Sequence, residues 1–394
     1  MRSIRFNVAL LLFACLWICH GRAEAGPFAS SADIALILDY DSGTVLYDKN
    51  ADQPTAPAST AKLLTAEIVF RELKEGRLHL DDLYDVSEKA WREGGAHAHG
   101  AAMFLAVKSR VRVEDLLRGL IIQSGNDAAM VLAEGVAGSE PAFAELMNQR
   151  AAELGMTHSH FTDPRGKADP AARTTARDMA LLAAHVIREY PDYYHYFGEK
   201  EFTWNKIRQL NRNPILAMDF GADGLKAADV ADGGFGLVGS AVDEGARLIV
   251  VMYGLKTADE RTEEARKLFG YGFHSFDRRT VFEPGAAVGA ASVYGGLAGE
   301  VPLVGDRPIV VFVPHGESGK LTAKIVYTGP LTAPVEKGKD TGRLKIWRDD
   351  MLVVDVPLKT GADVPLGGLT SRAFDAGIEL TEGAIRAALS RFHK

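Results

Sequence analysis

The chain has 394 residues, 47% apolar and 25% charged, a composition that excludes collagen-like, coiled-coil and largely disordered architectures and suits two domains. Its formal net charge is -7, so it lacks the basic footprint of a nucleic-acid binder. Arg2, Arg5, Arg22 and Glu24 are the only charged residues among the first 25, which leaves the remainder at -9.

The N-terminus reads as an export signal. Arg2 and Arg5 precede an apolar run from Val8 to Cys19, too short for a comfortable membrane span. Ala23-Glu24-Ala25 has the small-x-small pattern of a cleavage site, which makes 1–25 the signal segment and Gly26 the expected mature start. Phe13 is too bulky for a lipobox before Cys15. Both cysteines, Cys15 and Cys19, fall in the removed segment, so the mature chain has no disulfide, thiol nucleophile or thiolate metal ligand.

Residues 34–48 predict two strands around the Asp41-Ser42-Gly43 turn. From Thr60 to Leu73, apolar residues at 63, 64, 68 and 69 recur at helical spacing. Further helical stretches are expected at 113–120, 127–135, 141–154 and 175–189. A second strand pair is predicted over 234–255, turning at Asp243-Glu244-Gly245, and a helix over 259–270. Strands at both ends with helices between them predict an α+β domain, taken as 26–278. Beyond it, alternating segments at 321–327, 343–347 and 351–358, separated by Gly- and Pro-rich turns, predict a small all-β domain at 279–368, read as a sandwich. Over 369–394, Phe374, Ile378, Thr381, Ile385, Leu389 and Phe392 share one face of an amphipathic helix.

Three short motifs carry the chemistry. Ser59-Thr60-Ala61-Lys62 opens the first long helix, where residues three apart are neighbours. A serine hydroxyl needs a base beside it, and a lysine serves when burial and another cation depress its pKa. Alone, Ser-x-x-Lys occurs by chance in a chain of this size. Ser124-Gly125-Asn126 lies on an interhelical turn and can aim a hydroxyl and an amide into a cleft, or merely cap a helix together with Asp127. Asp223-Gly224-Leu225-Lys226 precedes the strand pair at 234; a lysine at a strand edge is ordinarily a solvated charge.

In this order and context the motifs resemble those of the penicillin-recognising serine enzymes, and more narrowly the D-alanyl-D-alanine carboxypeptidases of the low-molecular-weight penicillin-binding protein class. FTWNKIRQLNRNPIL, GLVGSA, KLFGYGFHSFD and the β-rich tail extend the likeness over essentially the whole mature chain. Class A β-lactamases share the motifs but have one domain. The resemblance implies a β-lactamase-like transpeptidase fold, an antiparallel sheet flanked by helices. It makes Ser59 the nucleophile toward the carbonyl between the terminal D-alanines of a peptidoglycan stem peptide, Lys62 its base and Ser124 a proton relay. Asn126 would hold the substrate amide and Lys226 would supply positive charge. The N–H groups of Ser59 and Asp229 would form the oxyanion hole. Arg212 and Arg261 match arginines near the carboxylate end of the site. β-Lactams are implied as covalent inhibitors, and no metal or organic cofactor is implied.

The third motif departs from the family. Lys226-Ala227-Ala228 stands for Lys-Thr-Gly, and Asp229 follows. Ala227 lacks the hydroxyl that bonds the substrate carboxylate, a loss of about ten- to hundredfold in efficiency. Ala228 adds a methyl, and Asp229 a carboxylate beside the place where another must bind. Asp163, in FTDPRG, replaces a usual Asn. Lys359-Thr360-Gly361 and Lys256-Thr257-Ala258 imitate the motif but lie past the catalytic strands and are read as scaffold. The expected function is a serine D-Ala-D-Ala carboxypeptidase. The alternatives are a catalytically impaired member that binds peptidoglycan or acts as a scaffold, and a β-lactamase-like hydrolase. His97-Ala98-His99 and His158-Ser159-His160 raise a zinc peptidase, but no carboxylate stands at ligand spacing and loop histidines are the plainer reading. The protein is expected in the periplasm. Residues 371–394 either contact the membrane peripherally, with Arg386, Arg391 and Lys394 toward headgroups, or pack on the β domain.

Overall fold

The computed structural model describes residues 28–230, 234–315 and 320–368. The expected signal segment and the terminal amphipathic helix lie outside the described residues.

In chain order, β1 (Ile34–Asp39) and β2 (Val45–Lys49) form the expected hairpin, and α1 (Ala61–Lys74) follows a 3₁₀ turn over Ala58–Thr60. β3 (Leu83–Asp85) pairs with β4 (Arg110–Arg112). Then come α2 (Val113–Ile121), α3 (Asn126–Ala137), α4 (Glu140–Glu153), α5 (Ala176–Glu189) and the single turn α6 (Pro191–Tyr194). β5 (Glu201–Trp204) and β6 (Ile207–Leu210) make a small hairpin, and β7 (Ala222–Val230), β8 (Gly234–Asp243), β9 (Ala246–Leu255) and α7 (Ala258–His274) follow. The third motif therefore lies on a strand of its own, ahead of the expected β8–β9 hairpin.

The main sheet has the order β2-β1-β9-β8-β7, with antiparallel neighbours. Side chains alternate between its faces as the pleat requires. Leu36, Val238, Ile249 and Val251 join a core with the helical region, while Ile37, Leu237, Val250 and Met252 pack toward Leu268 and Phe269 of α7. Every residue of α1 from Ala61 to Phe70 is buried, so this helix runs through the interior. These are three layers with β7 at the sheet edge, against which the 58–60 turn packs.

β10 (Phe276–Phe282) opens the all-β part with β11 (Ala287–Tyr294), β12 (Glu300–Val304), β13 (Ile309–Pro314), β14 (Leu321–Tyr327), β15 (Leu331–Thr332), β16 (Asp340–Arg348) and β17 (Met351–Thr360). A six-stranded sheet, β14-β16-β17-β12-β11-β15, accompanies a β10-β13 pair around a separate core that includes Val301, Leu303, Val311, Leu344 and Val354.

Candidate active site

Ser59 sits in the 3₁₀ turn ahead of α1, after Ala58, whose φ is +43°. A positive φ at a non-glycine residue is strained and persists only where surrounding packing holds it. The hold is visible at Gly166: at its φ of +74° a Cβ would fall 1.7 Å from the Ala58 carbonyl oxygen, so only glycine lets the 163–167 loop approach. Asp163 fixes that loop by accepting the N–H groups of Arg165, Gly166 and Lys167 at 2.7, 2.8 and 3.2 Å.

Ser59 opens onto a cleft of about 430 Å³, also lined by Glu93, Ala98, Asn126, Arg165, Gly166 and Lys167. One helical turn along α1, Lys62 is 2% exposed, and its Nζ donates to the Arg165 carbonyl at 2.6 Å. Burial pulls its amine from 10.5 down to about 7; Asp163 opposes the fall, and the Arg165 and Arg212 charges add to it.

Ser124 lies between α2 and α3 in the left-handed region, φ +62°, and its buried hydroxyl has no hydrogen-bond partner. Asn126, the first residue of α3, is half-buried on the cleft. Asp127 is more than a helix cap: its carboxylate accepts the Met103 and Leu105 N–H groups at 2.9 and 3.1 Å, binding the 103–105 segment to the start of α3.

Lys226 of β7 is buried and donates to the Ile121 carbonyl at 3.2 Å, next to the Ser124 turn. Burial, then the Lys62 and Arg212 charges, drive its amine well below 10.5. Asp229 opposes that fall. Arg212 is exposed, and its N–H bonds the Ile122 carbonyl at 3.0 Å on the same turn. Ala228 is 1% exposed, and Ala227 joins the apolar cluster that includes Ile215 and Leu237. Asp229 does not stand free: its carboxylate pairs with Arg261 Nη1 of α7 at 2.8 Å.

Of the expected site residues, Ser59 and Asn126 line the cleft, Lys62 and Lys226 are close enough for their charges to interact, Arg212 acts on both lysines, and the Asp229–Arg261 pair lies farther along β7. Sequence reasoning missed Glu93, Arg165, Gly166 and Lys167 among the lining residues; the FTDPRG tract was the available signal for Arg165 and Gly166. The imitation motifs are scaffold: Thr257 caps α7 by accepting the Glu260 N–H, and Thr360 is buried in β17 accepting the Lys339 N–H, each at 3.0 Å. His97, His99 and His158 are exposed. A larger groove, about 750 Å³, runs between Leu36, Val45 and Leu181 on one side and Arg343, Met351 and Val353 on the other, and contains no motif residue.

Residues 22–257 match the family described as D-alanyl-D-alanine carboxypeptidase, and residues 276–366 match the C-terminal domain of penicillin-binding protein 5. The D-alanyl-D-alanine carboxypeptidase DacC of Escherichia coli (strain K12) is 39% identical over 358 residues, 90% of each chain. The structure of penicillin binding protein 5 from Haemophilus influenzae superposes with a TM-score of 0.73 at 35% identity, covering 86% of this chain and 99% of that one. Ampicillin-bound penicillin-binding protein D2 from Listeria monocytogenes gives 0.54 at 28% identity, over 62% of this chain and 99% of that one. The chain belongs to the D-alanyl-D-alanine carboxypeptidase family.

Proposed function

We propose that this chain removes the terminal D-alanine from peptidoglycan stem peptides through an acyl-enzyme on Ser59. The observation that carries the reading is a serine open to a cleft, with a buried lysine one helical turn along whose amine is held at about 7. At that value a neutral amine is available near neutral pH to take the Ser59 proton. The Ser59 oxygen then bonds to the penultimate D-alanine carbonyl, with the Ser59 and Asp229 N–H groups facing the developing oxyanion. Ser124, its hydroxyl unpartnered, relays the proton to the departing amine. Asn126 holds the substrate amide, and Lys226, with Arg212, serves the leaving-amine end. Water hydrolyses the ester. Residues 26–278 form the catalytic domain and 279–368 the all-β domain of an exported, periplasmic protein. β-Lactams acylate Ser59 in the same way, a reading supported by the ampicillin-bound relative. Contact of 371–394 with the membrane surface belongs to the same reading.

A second reading has a specific observation behind it. Ala227 and Ala228 offer no side-chain donor, and Asp229 occupies Arg261, which fits a member with reduced turnover that chiefly binds peptidoglycan. Fluorescent penicillin separates the two. Covalent label on the wild type and none on Ser59→Ala, together with D-alanine release from a pentapeptide, is the expected result. Failure of the wild type to take label would leave the binding role.

A further inference from the structure

Arg261 is the cation nearest the end of the third motif, and it is already engaged. Its guanidinium is 8% exposed, donates to Asp229 at 2.8 Å and to the Ala228 carbonyl at 3.2 Å, and lies 5.4 Å from the Phe235 ring centroid. Phe235 faces Asp229 across the β7–β8 ladder, so Arg261 is clamped beneath both strands. Its Nε is buried without a partner. Asp229, by contrast, is 67% exposed. A buried cation and an exposed anion leave the outer end of β7 electrically balanced, with the anion facing whatever arrives. The two preceding residues, Ala227 and Ala228, supply no side-chain donor to offset it. The Asp229 charge also reaches Lys226.

We propose that Asp229 is a built-in counter-carboxylate for Arg261, which shifts the leaving-amine end of the cleft away from acyl donors with a free terminal carboxylate and toward those with an uncharged terminus, a C-terminal carboxamide. The proposal rests on Ser59 acylation as read above. A free carboxylate must displace Asp229 from Arg261 or bind beside an unrelieved like charge, whereas a carboxamide meets neither obstacle. The chemistry is otherwise unchanged. The Ser59 oxygen bonds to the acyl carbon, the C–N bond breaks and the departing amine takes the hydroxyl proton. Water then cleaves the ester, giving the shortened peptide acid and restoring Ser59.

The test compares diacetyl-lysyl-D-alanyl-D-alanine with its C-terminal carboxamide, following release of D-alanine or D-alaninamide by mass spectrometry. The wild type should process the two with kcat/KM values of the same order. Asp229→Asn should raise the ratio of kcat/KM for the carboxylate to that for the carboxamide about tenfold, through KM. Asp229→Glu, which keeps the charge, should keep the wild-type ratio, and adding Arg261→Gln to D229N should remove the gain in that ratio. A wild type that strongly prefers the carboxylate, or a D229N effect equal on both donors, overturns the proposal. So does penicillin labelling of Ser59 with turnover of neither donor. Absence of that labelling overturns the nucleophile assignment itself.

Discussion

Lys62 connects the sequence to the chemistry through a single number. Below about 7 its amine is protonated and cannot accept the Ser59 proton; above that value it can. The acylation rate with penicillin is therefore expected to climb with pH, midpoint about 7, and to level off above it, falling about tenfold per unit on the acid side. Asp163 raises the Lys62 value, so Asp163→Asn should move the midpoint to lower pH, while the amide oxygen still accepts the 165–167 N–H groups. Labelling rates between about pH 5 and 9 check both statements, and a flat profile would remove Lys62 as the base. At this scale, residue types were legible in the sequence and environments were not. Ser-x-x-Lys announces two groups sharing a helical face, but the burial that depresses the amine, and the charge of Arg165 a hundred residues away that adds to it, come from the fold. The burial that lowers the Lys226 amine was hidden in the same way, since no local pattern reports desolvation. Asp229 was legible as a carboxylate in an awkward place, and only the fold brings Arg261 to it.

The nucleophile's helix is held from behind by charge as well as by apolar packing. Glu67 of α1 is fully buried, and its carboxylate accepts from Arg150 Nη2 of α4 at 2.7 Å and from the Tyr190 hydroxyl at 2.8 Å, with His185 Nε2 of α5 at 3.2 Å. Burial pushes the Glu67 carboxyl up, but hydrogen bonds from His185, Arg150 and Tyr190 outweigh it and leave it below its ordinary value. Three helices thus converge on one ion. Removing one partner leaves a buried charge uncompensated, so Arg150→Met should cost about 3–5 kcal/mol at neutral pH. A carboxyl lowered in the fold contributes stability above its unfolded value and loses it as acid protonates it, so the deficit should shrink toward acid pH. Denaturant midpoints at two pH values measure this, and a loss under about 1 kcal/mol would refute the role. Long periodic helices and alternating strands were legible because their pattern is local. The hairpin of β5 and β6, the β3–β4 pair and the π-helical turn at 90–94 were not, because they are short and shaped by what they lie against. β7 also escaped: Asp-Gly-Leu-Lys-Ala-Ala-Asp has no alternation, and the ladder to β8 makes it a strand.

The change of texture near residue 279 announced a second domain, yet nothing in it told how the two parts meet. The junction mixes apolar and polar contacts: Phe276 and Phe312 join the cluster of Leu268 and Phe269, and Met351 packs against the cores of both domains. Arg348 of β16 donates to the Leu46 carbonyl of β2 at 3.0 Å and to the Phe312 carbonyl of β13 at 3.2 Å, its guanidinium 5.6 Å from the Phe276 ring centroid. The Thr44 hydroxyl adds a bond to the Val310 carbonyl at 3.1 Å. Arg348 therefore ties the hairpin of the main sheet to the small β10–β13 pair by hydrogen bonds, beside the apolar contacts of Phe276 and Phe312, while the larger β sheet keeps a core of its own. Domains with separate cores unfold together only as far as their contact couples them. Deleting the guanidinium strands two carbonyls and removes charge-assisted bonds worth about 1.5–3 kcal/mol each. Arg348→Ala should accordingly split thermal unfolding into two calorimetric transitions, or widen the separation of two already present. The all-β domain should melt earlier, while Ser59 still takes penicillin at the wild-type rate, because the cleft lies on the far edge of the sheet from β2. A single unshifted transition would show that the apolar groove beside the junction couples the domains without Arg348. A lowered labelling rate would show instead that the β domain bears on the catalytic cleft.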